Sequence, residues 1–524
     1  MTSTLRHISF RRIGTSEVHQ RYLEDDRDLS GFLGMRARSV AELLRRAPTG
    51  AGRLLPRDKL VQALRAYAER HKAPPEVFAS AEALLDPNVH VVVTGQQPGM
   101  MGGPLFTFHK VATAIRLCRE INAEAQKNGG PRAVPVFWNH SDDHDLDEAN
   151  RLFLVNQSQE VQRFRLDLHR SNEPLRGIGC GREMEKVLAE CEALLPQSEF
   201  RQWVLDLCKP RHPDETLGDQ MARLLFATFG HHGLCIIEPR DLPPEAFDPL
   251  TRWWDKSDEV RDRVKQATED LADLGIDITL DPQTTMMFEL AGGVRTPLAD
   301  GEEAGRAQDL SPGVLLRPLW QDACLPTLGF VVGPGELAYL CAVAPLYRLL
   351  GVPLPVFVPR ASMTVVEPSM QRLLTRFSLD LPDLDQPPEK LAEKLLQNDD
   401  GDDIEDALDD LQSKVRAALD GITTKLGALD SSMLGALDRA RSKALEEIER
   451  LQQKVRNARQ NREGTGIKQL RRLCSTLRPR NRIQERVLGP LAYLATYGPR
   501  FGDMLVEAAD PFRIEHAVLE LGPA

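Results

Sequence analysis

No run of eighteen apolar residues occurs anywhere in the 524-residue chain, so no transmembrane helix is expected. The N-terminal stretch MTSTLRHISFRRIG has basic residues but no apolar core, so a secretory signal is not expected and a cytoplasmic location is. Cysteine is scarce and scattered, at 118, 180, 191, 208, 235, 324, 341 and 474, without a Cys-x-x-Cys pair. A disulfide framework is therefore not expected, and the thiols read as reduced and mostly buried. Basic residues are outnumbered, 66 against 77 acidic, and the net charge of −11 argues against non-specific nucleic-acid binding. Three motifs are also missing: the Gly-Lys-Ser/Thr close of a P-loop, the spaced-glycine dinucleotide fingerprint, and His-Glu-x-x-His. What remains is 42% apolar and 27% charged, ordinary for a globular chain, with length for about three domains.

The stretch from Val89 to Asn150 carries the densest information. Val89 to Val93 is a continuous, mostly β-branched run of the kind a buried parallel strand needs. A glycine-rich loop, Thr94 to Gly103, follows and leads into a helix with Leu105, Phe108, Ala112, Ile115 and Cys118 on one face. Val134 to Trp138 reads as a second buried strand. This βαβ unit places polar groups at the carboxyl ends of both strands, where ligands bind in open α/β sheets. The first loop is a candidate anion cradle, with Gln96 and Gln97 adding side-chain amides; the alternative is a tight turn without a ligand. In the second loop His140, Asp142, Asp143, His144, Asp145, Asp147 and Glu148 fall within nine positions. Like charges this close need neutralising by a metal, a counter-charged arginine or solvent, or they serve acid–base chemistry.

Elsewhere the chain alternates helical and strand-like segments. Residues 1–88 read as helical and connective, punctuated by Pro48, Pro56 and Pro74-Pro75. A probable insertion at about 151–230 has two short strands and three helical patterns. Adjacent His231 and His232 read as a helix C-terminus and are not expected to share a metal. A further buried strand closes at Glu238, and a hairpin is expected from Met286, turning at Gly292-Gly293. A second glycine-rich strand-to-helix turn is expected at Gly333 to Glu336, and a last buried strand leads to Arg360, which could hold a phosphate or carboxylate or partner the acidic loop. From Ile404 to Val455 apolar residues, Met433 among them, recur at three- and four-residue steps. That pattern predicts one helix of about 75 Å, turning near Gly464 and Gly466 and needing a returning helix or another subunit to cover its stripe.

Four of these stretches, in order, carry a family resemblance: TGQQPGMMGGPLFTFHK with PVFWNHSDDHDLDE, LLRPLWQDACLPTLGFVVGPGELAYL at 315–340, PLPVFVPRASMTVVEP at 353–368, and QERVLGPLAYLATYG at 484–498. From about residue 89 onward the chain resembles the bacillithiol biosynthesis cysteine-adding enzymes, the BshC family of cysteine ligases. It departs from that pattern at Asp142 (glutamate expected), Leu146 (an aromatic expected) and Glu238 (aspartate expected). The resemblance implies a Rossmann-like, mostly parallel α/β core with connecting-peptide insertions and a dimerising coiled coil. It also implies the reaction, addition of cysteine to the amine of glucosaminyl malate. Expected domains are 1–88, a core at 89–385, a coiled-coil arm at 386–465 that makes a homodimer, and a helical segment at 466–524.

Forming an amide requires an activated cysteine carboxylate, for which ATP is the simplest energy source; the sequence itself requires neither ATP nor a metal. On this reading the catalytic candidates are Gln96, Gln97, Asp143, His144 and Asp145. His144 would accept the amine proton, with Asp143 and Asp145 favouring its protonated form, and the glutamines would donate to a developing oxyanion. Substrate- or nucleotide-binding candidates are Thr94, Gly95, Gly99, Gly102 and Gly103 in the first loop, then Trp138 and Asn139. Arg317, Gln321, Asp322, Gly333, Gly335, Glu336, Tyr339, Arg360 and Ser362 follow, and the two glycine-rich turns are expected to line one cleft. Two rival readings are a metal-dependent hydrolase built on the Asp143-His144-Asp145 cluster and a coiled-coil scaffold whose α/β domain only binds a ligand.

Overall fold

The apolar run at Val89 becomes the middle of a parallel sheet. The computed structural model describes residues 4–47, 55–156, 158–168, 172–278, 280, 284–299, 301–396, 401–429 and 434–522. Among these, thirteen strands, numbered in chain order, form four sheets. In the central one β2 (Val89–Gln96) pairs in parallel with β3 (Arg132–Asn139) and with β10 (Thr327–Val332). Beyond β3 lies β6 (Cys235–Ile237), and beyond β10 lies β11 (Val356–Pro359). The chain steps outward from β2 through β3 to β6, then crosses back to β10, so strand order reverses between β2 and β10. Strand interiors are fully buried, which is why they read as apolar runs and not as alternating patterns. The helix Leu105–Asn128 covers the sheet with the apolar face the spacing predicted, and stops at Gly129 with φ +71°.

Three smaller sheets frame this core. β4 (Arg151–Val155) and β5 (Val161–Arg165) form a hairpin. β7 (Met287–Ala291) and β8 (Val294–Pro297) turn at Gly292-Gly293 as predicted, and β9 (Leu310–Pro312) adds antiparallel to β7. The last sheet joins the two ends of the chain: β1 (Thr4–Ser9) pairs antiparallel with β13 (Glu515–Glu520), which runs parallel to β12 (Met363–Val366). The segments expected to be helical at 1–88 and 466–524 thus each contribute a strand. Their local signals are six residues long and their pairing partners lie at the opposite end of the chain. Pro48 lies outside the described residues. All eight cysteines are free and buried, and among the described residues no helix is long and apolar enough to cross a membrane.

Two compact units result. One holds Met1–Gln157, Val161–Pro368 and Arg482–Ala524; the other holds Ser158–Glu160 and Ser369–Asn481. The boundaries expected near 385 and 465 both fall inside the second, helical unit. There the single 75 Å helix is corrected to two helices, Gly401–Leu429 and Leu434–Leu477, and Met433 lies outside the described residues. They pair antiparallel: Gln452 donates to Asp409 at 2.8 Å, Gln412 donates to Glu449 at 3.4 Å, and Arg441 pairs with Asp420. Return within the chain buries Leu408 and Leu437, the cover that the stripe required. Gly464 and Gly466 lie inside the second helix and make no turn. Leu437→Asp should lower helical ellipticity, because a carboxylate would be buried without a partner. Leu411→Asp, at an exposed position of the same hairpin, should leave it within error; circular dichroism of both variants checks this.

Candidate active site

At a point where strand order reverses, the loops leaving neighbouring strands diverge and open a crevice. Here that crevice is a cleft of about 380 Å³, in the size range of small-ligand sites. Gly95, Gln96 and Gln97 line it from β2, His140 from β3, Gly333, Pro334, Gly335 and Glu336 from β10, and Arg360 from β11. Phe106, Lys110, Glu148, Arg317, Tyr339 and Arg486 complete the wall. The two glycine-rich turns therefore meet at one site. Gly95 is needed there: a Cβ would stand 2.7 Å from both His140 Nε2 and the Trp138 carbonyl oxygen.

The rest of the first loop forms a tight turn, one of the two alternatives its sequence offered. Three of its N–H donors are taken: Met101 by Gln220 Oε1 at 2.8 Å, Gly102 by Gly99 and Gly103 by Met100. The helix behind it is closed as well, since Leu105 N–H donates to the Leu488 carbonyl at 2.9 Å. Gly99 and Gly103 pack so closely that a Cβ on Gly99 would lie 2.6 Å from Gly103 Cα. Gly99, Gly102 and Gly103 thus serve the turn and not a ligand.

Positive charge converges on the cleft. Lys110, almost wholly buried, donates to the Gly95 carbonyl at 2.8 Å and to Gln96 Oε1 at 3.0 Å, and pairs with Glu336 at 2.6 Å. Burial lowers its pKa, and Glu336 opposes that shift. Glu336 also accepts from Gly333 N–H at 2.8 Å, closing the start of the helix Pro334–Leu350. Tyr339 stands on the same helix, and burial pushes its phenol up. Partial burial, followed by the nearby Asp145, raises the Glu148 carboxyl, which has no ion-pair partner among the described residues.

The acidic loop is neutralised by arginines. Asp142 pairs with Arg240 at 2.8 Å. Asp143 accepts from Gln97 Nε2 at 2.6 Å and Arg317 at 2.9 Å, with Arg295 at 3.7 Å. Burial alone would raise the Asp143 carboxyl, but Arg317 and Arg295 beside it hold it well below the usual range. Arg295 comes from β8, lies 3.8 Å above the Phe288 ring, and donates to His144 Nδ1 at 3.0 Å. An arginine can only donate, so Nδ1 is an acceptor and a neutral His144 carries its proton on Nε2. His144, the expected proton acceptor, is not among the residues lining the cleft. Asp145 caps the helix Leu146–Ala149 by accepting from Glu148 N–H at 3.1 Å.

Six further candidates sit behind the wall. Thr94 donates to the Val331 carbonyl at 2.9 Å, tying β2 to β10. Trp138 packs edge-on against Trp320. Gln321 donates to Asp322, which also accepts from Thr327 and from Tyr347 at 2.6 Å; burial raises this carboxyl to about 6. Ser362 donates to Glu485 at 2.9 Å, and Asn139 reaches Glu238 at 3.3 Å. Sequence reasoning missed Phe106, Lys110 and Arg486 in the wall, and Arg240 and Arg295 behind it. Lys110 and Arg486 had a signal, since both stand inside the stretches that carried the family resemblance.

Among the described residues, His231, His232 and Asp503 form a group close enough to share a metal ion. Both Nε2 atoms lie 2.8 Å from Asp503 Oδ1, so the adjacent histidines do face one partner, contrary to expectation. Arg119 stands 3.0 Å from His232 Nδ1 and can only donate, so the neutral ring has its proton on Nε2, the atom a metal would need. Charge pairing accounts for this cluster.

Fold and site together define a Rossmann-like α/β protein with a cationic ligand cleft at the reversal of strand order, joined in one chain to a helical coiled-coil unit. The model of the Rossmann-like N-terminal domain of bacillithiol biosynthesis BshC matches residues 4–307 and 302–361, and that of its C-terminal coiled-coil domain matches 363–521. The chain belongs to the BshC family. It is 29% identical over 490 residues to the "Putative cysteine ligase BshC" of Koribacter versatilis, covering 89% of this chain and 90% of the relative. The proteins of the same name from Salinibacter ruber and Heliobacterium modesticaldum are 29% identical over 502 residues and 31% over 464. They cover 90% of each chain and 82% of each chain, respectively.

A buried acid behind the cleft gives a test of this geometry. Glu238 accepts from Tyr67 at 3.1 Å, from Ser141 at 2.5 Å and from Asn139, and burial pushes its carboxyl up to about 7. Its folded pKa lies above the unfolded value, so the native state holds the extra proton between about pH 4.5 and 7, and stability falls as pH rises through that window. The loss is on the order of 3 kcal/mol and complete above the folded pKa. Glu238→Gln should therefore raise the melting temperature at pH 8 and change it little at pH 5. Equal shifts at both pH values would contradict the assignment.

Proposed function

We propose that this chain catalyses, in the cytoplasm, the last step of bacillithiol biosynthesis: formation of the amide between the cysteine carboxyl and the amine of glucosaminyl malate. The observation that carries this reading is the set of cationic donors on the cleft. Lys110, Arg317, Arg360 and Arg486 line it with Glu148 and Glu336. Guanidinium groups on a cleft wall suit a carboxylate substrate, and the malyl group carries two carboxylates. Family membership supplies cysteine as the other substrate.

In the step we propose, the amine nitrogen attacks the activated carboxyl carbon of cysteine. The C–N bond forms, the activating group leaves with the bonding electron pair, and the nitrogen gives up a proton. Glu148 is the acceptor: it lies on the cleft, has no ion-pair partner among the described residues, and its raised pKa makes it a better base than an ordinary carboxylate. The Gln96 amide, whose Oε1 is held by Lys110 Nζ, is the donor for the developing oxyanion; Lys110 itself is engaged by the Gly95 carbonyl, Gln96 and Glu336, and Gln97 already donates to Asp143. ATP-dependent acyl activation supplies the leaving group under this proposal.

The test is product formation from cysteine, glucosaminyl malate and ATP by purified protein, followed by mass spectrometry. Glu148→Gln should lower kcat by roughly a hundredfold, the contribution of one general base, while His144→Ala should stay within about threefold because its Nδ1 is engaged. Full turnover by Glu148→Gln would remove it as the base; no product and no binding of glucosaminyl malate would remove the reading itself.

We also propose that two copies pair through the helical hairpin. Ile404, Leu411, Ile422 and Leu451 stay exposed along it after its inner stripe is buried. Light scattering at micromolar concentration should give a dimer, and the Ile404→Glu, Leu411→Glu double variant a monomer. A wild-type monomer would contradict this.

A further inference from the structure

The cleft arginine Arg360 is held from behind by a residue of the C-terminal segment. Glu485 sits in a short turn, Gln484–Arg486, and is 1% exposed. Its Oε1 meets Arg360 Nη2 at 2.6 Å and accepts from Ser362 Oγ at 2.9 Å. Its Oε2 accepts from Met363 N–H at 2.9 Å and faces His109 Nδ1 at 2.8 Å. The carboxylate thus has four donors, which is a full set for a buried group. The turn itself is fixed by the neighbouring amide, since Gln484 accepts from the N–H of Val365 and donates to its carbonyl, as a strand partner would. Burial alone would raise the Glu485 carboxyl, yet Arg360 and His109 keep it well below the usual range, so it is ionised.

We propose that Glu485 is a positioning residue for the reaction, which fixes the Arg360 guanidinium at the cleft wall so that it meets the anionic substrate in one orientation. This rests on the reading of the cleft as the glucosaminyl malate site. The geometry is directional. One guanidinium edge is committed to Glu485, a second contact goes to the Ala361 carbonyl at 3.3 Å, and the Phe106 ring lies 5.7 Å from the guanidinium carbon. Phe106 and Arg360 both line the cleft. A long cationic side chain with one edge pinned loses little rotamer freedom when its substrate binds, so the cost of ordering it is met on folding. The residue following Glu485 is Arg486, which also lines the cleft, so one turn sets two of its cations.

A binding cycle tests this. The dissociation constant for glucosaminyl malate is measured by calorimetry for the full chain, Glu485→Gln, Arg360→Met and the double variant. Glu485→Gln keeps the size and an acceptor oxygen but removes the charge that holds Arg360. It should weaken binding at least tenfold when Arg360 is present and by less than twofold when Arg360 is already methionine. Equal weakening in both backgrounds makes Glu485 a structural residue only and overturns the proposal. So does unchanged binding by Glu485→Gln when Arg360→Met is weakened, and the cleft reading then survives. Unchanged binding by Arg360→Met removes the cleft reading and this inference with it. If Glu485→Gln does not fold, Glu485→Asp, which keeps the charge on an arm one methylene shorter, takes its place in the same cycle with the same outcomes.

Discussion

The acidic loop after β3 imposes a condition that much of the surrounding structure meets. Five carboxylates within seven positions, Asp142 to Glu148, repel one another, and the part of the loop that is buried cannot rely on water to screen them. Asp142 and Asp143 therefore need counter-charges within ion-pair distance, and three separate elements deliver them: Arg240 from the turn after β6, Arg295 from β8, and Arg317 from the start of the helix Arg317–Cys324. The β7–β8–β9 sheet has a clear purpose in these terms. It places Arg295 over Phe288, where burial lowers the guanidinium to about 10, and Asp143 and Asp142 act against that shift. Taking away one of these arginines would leave a buried charge uncompensated, which typically costs about 3–5 kcal/mol.

The same accounting decides which groups remain for chemistry. A carboxylate that accepts from an arginine and an amide, as Asp143 does, is a poor base, because its charged form is what the surroundings stabilise. His144 accepts from Arg295 through the one nitrogen lone pair that a neutral imidazole has. His140 faces the cleft, but burial, Arg317 and Lys110 hold it neutral and make it reluctant to take up a proton. Among the carboxylates lining the cleft, Glu148 is raised by desolvation and by Asp145, and it has no ion-pair partner among the described residues.

Sequence reasoning reached the elements whose signal is local. A buried parallel strand is a short apolar run, and a strand-to-helix turn announces itself by glycine and proline, so β2, β3, β10 and their loops were legible and so was their meeting at one cleft. The partners were not legible, because charge pairing has no period. Arg240 is 98 positions from Asp142, Arg295 is 151 from His144, and Glu485 is 376 from His109. For the same reason the first loop was over-read. Its glycines do make a tight turn, but Gln220, which accepts from the Met101 N–H, comes from far along the chain.

The helical hairpin shows the limit from the other side. Its apolar period is the same before and after the break, so a count of three- and four-residue steps runs straight through it. Composition held a cue: Asp430, Ser431 and Ser432 are the residue types that cap a helix start, and they stand directly before Met433 and Leu434. The register carries the argument further. The pairs 409 with 452, 412 with 449 and 420 with 441 all centre on the same point, between 430 and 431. Three contacts between the two helices thus agree on one antiparallel register. A straight helix would leave Leu408 and Leu437 in water; pairing the two helices within the same chain buries both.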